Sequence, residues 1–97
     1  MPFDISLAPE AVEDLRSMNA HLRAKVRTAL ETHLRHQPEK TSRSRIKRLQ
    51  GLRRPQYRLR VGGIRVFYDL SGTTVEVLAI VAKSEAESWL AQFGNPE

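Results

Sequence analysis

Tyr57-Arg58-Leu59-Arg60-Val61-Gly62-Gly63-Ile64-Arg65-Val66-Phe67-Tyr68 is the most informative run in this chain. Two segments of alternating apolar and polar residues flank a Gly-Gly pair, the pattern of two strands joined by a tight hairpin. A turn at Gly62-Gly63 sets Val61 opposite Ile64, Arg60 opposite Arg65, Leu59 opposite Val66 and Arg58 opposite Phe67. Alternation then gathers Tyr57, Leu59, Val61, Ile64, Val66 and Tyr68 on one face, which reads as a core face. Arg58, Arg60, Arg65 and Phe67 share the other face.

Directly opposed like charges cost a strand pair on the order of a few tenths of a kcal/mol or more. A sequence selected for folding alone would place an acid or a threonine at one of those positions. Three arginines beside an exposed aromatic suit a nucleic acid or another acidic partner: guanidinium groups grip phosphates, and Phe67 is placed to stack on a splayed base. From Lys40 to Arg65 the chain holds ten basic and no acidic residues, while the remainder holds six basic against eleven acidic. That segregation gives one side a positive field able to steer a polyanion. A solvated, unpartnered basic face is the competing reading of the same residues.

Working outward, Phe3 to Leu7 alternates like a short half-buried strand. Pro9 opens a helix whose first turns carry Glu10, Glu13 and Asp14. Asn19 marks a break or cap, and Leu22, Val26, Ala29, Leu30, His33 and Leu34 give a second helix, to about His36, one buried face. Gln37-Pro38 ends it. The two helices form an antiparallel hairpin. Residues 39–55 read as a polar, basic connection anchored by Leu49 and Leu52 around Gly51. Ser71-Gly72 is a second turn, after which Thr73 to Ala82 reads as a central strand. With a two-residue turn there, Val75, Val77 and Ala79 join the core face, and Glu76 and Leu78 join the arginines. Lys83 to Phe93 reads as a last helix, with Ser84 as its cap and Trp89 and Leu90 as packing residues. The expectation is an α+β domain, βααβββα, with an antiparallel-rich four-stranded sheet, a helical hairpin on one face and a C-terminal helix.

A chain of 97 residues suits a single domain, 1–97. It has no cysteine, so disulfides and thiolate metal sites are excluded, and no apolar run approaches the roughly 20 residues of a membrane helix. The N-terminus lacks the basic and apolar regions of a signal peptide, which makes the cytoplasm the expected location. His33 and His36 are three apart with no third ligand evident, so no metal site is expected, and His33 reads as a semi-buried core histidine. No phosphate-binding loop, dinucleotide fingerprint or Ser-His-Asp arrangement occurs, and no cofactor is expected.

The hairpin run, preceded by Lys47-Arg48-Leu49-Gln50-Gly51 and followed by an apolar strand and a Lys-led helix, resembles the RelE/ParE superfamily of type II toxins. The resemblance spans nearly the whole chain. It implies a cognate antitoxin encoded nearby, and operator DNA bound by the toxin–antitoxin pair. In the RelE branch it implies ribosome-dependent cleavage of mRNA, with ribosome and mRNA as partners and a 2′-hydroxyl attacking the adjacent phosphate. Arg58, Arg60 and Arg65 fall at that branch's basic sheet positions, and Lys83 heads its C-terminal segment. These four are the expected catalytic residues, with Lys47, Arg48, Arg53, Arg54 and Phe67 as RNA contacts. Ser84 stands where the RelE branch tends to have arginine, and Trp89 or Leu90 where it has a catalytic tyrosine. A ParE-like inhibitor of DNA gyrase, and an inactive antitoxin- or operator-binding module, are the alternatives.

Overall fold

Left-handed backbone at Gly62 and Gly72, with φ of 57° and 59°, lets the chain reverse in two tight hairpins without the Cβ clash any other residue would suffer. The computed structural model describes residues 2–97. In chain order the elements are β1 (Asp4–Leu7), α1 (Pro9–Arg16), α2 (Ala20–Leu34), β2 (Ile46–Arg48), β3 (Leu52–Arg54), β4 (Tyr57–Val61), β5 (Ile64–Ser71) and β6 (Thr74–Ala82). A 3-10 turn (Lys83–Glu85), α3 (Ala86–Phe93) and β7 (Asn95–Pro96) complete it. The main sheet runs β1-β6-β5-β4-β2, with β1 parallel to β6 and the other pairs antiparallel.

The first hairpin has the register its turn demands, Arg60 opposite Arg65 and Arg58 opposite Phe67. Its apolar face joins Ile46, Val75, Val77 and Ile80 under Ala11, Leu15, Val26, Leu30 and Leu34 of the helical hairpin. Asn19 Oδ1 accepts from Leu22 N–H at 2.8 Å and so caps α2. Arg23 closes the helix–helix joint, donating to the carbonyls of Leu15 (3.0 Å), in the last turn of α1, and Met18 (2.7 Å), in the turn that follows it.

The α+β class stands, with four differences in detail. Residues 39–55 are not merely a connection: β2 adds a fifth strand beside β4, and β3 pairs with β7 in a separate two-stranded sheet. Strands of two or three residues, two of them strongly basic, carry no apolar alternation to announce them. In the β5–β6 pair, Tyr68 faces Val77 but Phe67 faces Ala79, so Leu78 is a bulge. Beyond it the faces exchange. Ala79 lies on the arginine side, contrary to expectation, and Ile80 takes the core position opposite Val66. Asp14 Oδ2 holds the bulge, accepting from Ile80 N–H at 2.8 Å. Ser84 makes no capping bond, since Ala82 is the residue that precedes the 3-10 turn. Finally, α2 ends at Leu34, two residues before His36.

Tyr68 is fully buried, and its hydroxyl donates to the Pro38 carbonyl at 2.5 Å, pinning the segment after α2 to the sheet. Burial pushes this phenol far above its ordinary value. Tyr68→Phe leaves a buried carbonyl unpaired and is expected to cost about 1–3 kcal/mol in urea unfolding with an unchanged m-value. His33 is half-buried; burial first, then the Arg45 charge, hold its pKa below the usual 6.5. The folded chain therefore binds that proton less readily than the unfolded chain. Stability from His33 is complete above pH 6.5 and falls as pH drops through the lowered folded pKa. His33→Gln is expected to flatten the fall in stability on acidification, measured from urea midpoints across that window.

Candidate functional site

The sheet face turned away from the helical hairpin is divided by α3. Trp89 lies flat on Phe67, ring centroids 5.0 Å apart at 6°. Along one flank of the helix runs an open groove of about 830 Å³, lined by Arg58, Arg65, Phe67, Lys83, Leu49 and Leu90, with Glu87 at its margin.

Sheet pairing sets these side chains. Arg58 sits on β4 between Lys47 of β2 and Phe67 of β5, and Arg65 sits on β5 between Arg60 and Val81. Arg65 is only 7% exposed, and its Nη1 donates to the carbonyls of Gly62 (2.9 Å) and Ile64 (3.0 Å). Lys83 N–H donates to Gly63 O at 2.8 Å, which ties the head of the C-terminal segment to the same turn. Arg65 and Lys83 are thus held by one hairpin tip.

Arg58 is different. Its Nε is buried with no hydrogen-bond partner. Desolvation, then the charges of Arg65 and Arg60, draw its pKa below the ordinary arginine value, although a guanidinium stays protonated at any working pH. Arg58, Arg60, Arg65 and Lys83 form no ion pair among the described residues. A buried, unpaired donor on a side chain that lines a cationic groove is an energetic cost, and an anion that reached it would remove that cost.

The structure therefore gathers Arg58, Arg65 and Lys83 and disperses the other expected site residues. Arg60 and Lys47 are exposed neighbours on the same face, outside the groove lining. Arg48 pairs with Tyr57 across β2–β4 and so lies on the opposite face, its guanidinium 5.2 Å from the Tyr57 ring centroid. Arg53 and Arg54 are on β3, outside the main sheet. Arg54 is committed to Asp69, at 2.7 Å, and to Glu76. Glu76 therefore does not relieve the arginine row. Phe67 is 1% exposed beneath Trp89, so the exposed stacking platform read from alternation is not there. Strand alternation alone places Phe67 toward solvent and gives Trp89 no partner. The signal that would have found the stack is the apolar character of Phe67, Leu78 and Val81 on the supposed polar face.

Chemically the groove concentrates positive charge and hydrogen-bond donors. Among the described residues lining it, Glu87 is the sole carboxylate and there is no histidine or tyrosine. Guanidinium groups stabilise an anion but accept no proton.

Similar folds occur in solved RelE–RelB toxin–antitoxin complexes. The complex from Pyrococcus horikoshii OT3 matches with a TM-score of 0.69 at 19% identity, covering 86% of this chain and 97% of that one. The Mycobacterium tuberculosis RelBE2 complex matches at 0.69 and 23%, covering 84% and 92%. The Methanococcus jannaschii RelB–RelE complex matches at 0.66 and 20%, covering 87% and 96%. At such identities the likeness is one of fold. No curated protein matches the sequence. Residues 5–87 match the ParE toxins of type II toxin–antitoxin systems, parDE, and the chain belongs to that family.

Arg58→Met keeps most of the apolar stem and removes a desolvated charge repelled by Arg65 and Arg60. The variant is expected to unfold at higher urea than wild type, by a margin that shrinks in high salt. A lower midpoint would mean that Arg58 stabilises the free protein.

Proposed function

We propose that this protein is a cytoplasmic toxin, held inactive by a cognate antitoxin, that acts by binding its target rather than by cutting RNA. DNA gyrase is the target this reading names. The observation that carries it is the makeup of the groove: Arg58, Arg65 and Lys83 converge there, while the sole carboxylate lining it among the described residues, Glu87, is exposed to solvent and no histidine or tyrosine accompanies it. The family match over residues 5–87, to the ParE toxins of type II toxin–antitoxin systems, supports this reading. The antitoxin partner is supported by similar folds, among them the RelE–RelB complexes described above. Operator DNA then meets the chain through the toxin–antitoxin complex. Within the groove, Arg58 and Lys83 make the contacts, and Arg65 braces the hairpin tip to which Lys83 is tied.

The second reading, a ribosome-dependent mRNA interferase, is favoured by one observation. The unpaired Nε of Arg58 beside Arg65 and Lys83 suits the charged phosphorane of a phosphodiester cleavage. Its general base would have to be Glu87, an exposed lining residue, since Glu76 is engaged by Arg54 and no histidine or tyrosine lines the groove among the described residues.

Two assays separate the readings. Purified toxin is expected to inhibit gyrase supercoiling, and induced expression to arrest growth without new mRNA 5′ ends by primer extension. Arg58→Ala combined with Lys83→Ala is expected to restore both growth and supercoiling while leaving the circular dichroism spectrum unchanged. Growth arrest with new 5′ ends in translated mRNA and unaffected gyrase would replace this reading with the interferase.

A further inference from the structure

The other flank of α3 has the opposite character. A cavity of about 520 Å³ lies between the start of α1, the bulge of β6 and the C-terminal helix, walled by Trp89, Phe93 and Leu78 and edged by Glu10. Phe93 is 56% exposed, the large apolar side chain most open to solvent among the described residues, and its ring leans on Trp89 at 5.5 Å and 41°. A shallower recess on the far side of the same two rings is edged by Glu85. The aromatic pair thus stands between two carboxylates.

Those carboxylates have no cation of their own. Neither Glu10 nor Glu85 forms an ion pair among the described residues. Arg54, the one cation lining the cavity, is already shared between Glu76 and Asp69, two acids that face each other across β5–β6. The same two carboxylates bear on Asp14: burial raises its pKa, the bond from Ile80 N–H opposes that rise, and the charges of Glu10 and Glu85 add to it. In a chain of net charge +5, this flank is locally anionic and aromatic.

We infer that the Trp89–Phe93 cavity is a recognition site for an arginine side chain presented by a partner polypeptide. A planar guanidinium stacks on an aromatic face while donating to a flanking carboxylate, and its apolar stem covers the exposed ring. The cavity volume suits one long side chain with the backbone on either side. The site is separate from the cationic groove and stands whether or not gyrase is the target. It makes the two flanks of α3 complementary to a partner carrying both signs of charge.

Trp89 is the sole tryptophan of the sequence, so its fluorescence reads the cavity directly. The full chain is titrated with acetyl-Gly-Arg-Gly-amide and with the same peptide carrying citrulline, which keeps the shape and lacks the charge. A saturable change with the arginine peptide, about fivefold weaker with citrulline and similarly weaker in Glu10→Gln, is the expected result. Arg58→Ala, in the other groove, is expected to leave the titration unchanged. Phe93→Ala, at an exposed position, is expected to abolish it with an unaltered circular dichroism spectrum. Absence of a saturable change, equal response to the two peptides, or loss in Arg58→Ala with none in Glu10→Gln would overturn the assignment.

Discussion

The contact of Trp89 with Phe67 organises the second face of the sheet. One ring lies flat on the other at 5.0 Å, and without it α3, which has no fully buried residue, would have little to hold it there. The stack removes Phe67 from solvent, raises a ridge across the face and leaves a recess on either flank. It also depends on the bulge at Leu78, which brings Ala79 opposite Phe67. A small residue there leaves room under the indole. The bulge in turn is held by Asp14 of α1. A carboxylate on the helical side of the sheet thus helps shape the functional side.

The hairpin of β4 and β5 was fully legible in the sequence, because a Gly-Gly pair between alternating runs admits one register when one face must be buried. The helical hairpin was legible for the same reason, an apolar stripe ended by Asn19 and Pro38. What alternation does not carry is a break in its own count, and the Leu78 bulge reversed the faces beyond it. Nor does it reveal which polar face is roofed by a later helix, and the roof over Phe67 is Trp89 of α3. The short strands β2, β3 and β7 are defined by backbone pairing alone. Of the expected site, Arg58, Arg65 and Lys83 converge, because strand alternation and the hairpin turn determine all three. Arg48 and Arg54 went elsewhere because a cation count says nothing about which face or partner each cation takes: Tyr57 holds one, and Asp69 with Glu76 the other.

The arginine row shows how the fold tolerates a surface that opposes it. Arg65 lies opposite Arg60, yet its charge is spread into two backbone carbonyls of its own turn. Arg58 has no such outlet and keeps a buried donor unpaired. The first arrangement is compatible with stability by itself. The second is the kind of local conflict that persists where a partner completes the interaction.

The segregation of charge has a consequence before any contact is made. Cations gather on one flank of α3 and unpaired carboxylates on the other, which gives the molecule a dipole moment as well as a net charge. A molecule of this kind approaching a charged surface feels a torque in addition to an attraction, and turns its cationic flank toward a polyanion while still at a distance. Within about a Debye length, roughly 8 Å at physiological ionic strength, the orientation is selected electrostatically rather than by repeated collision. The flank carrying Trp89 and Phe93, across the α3 ridge from that contact, is then left open to a second polypeptide.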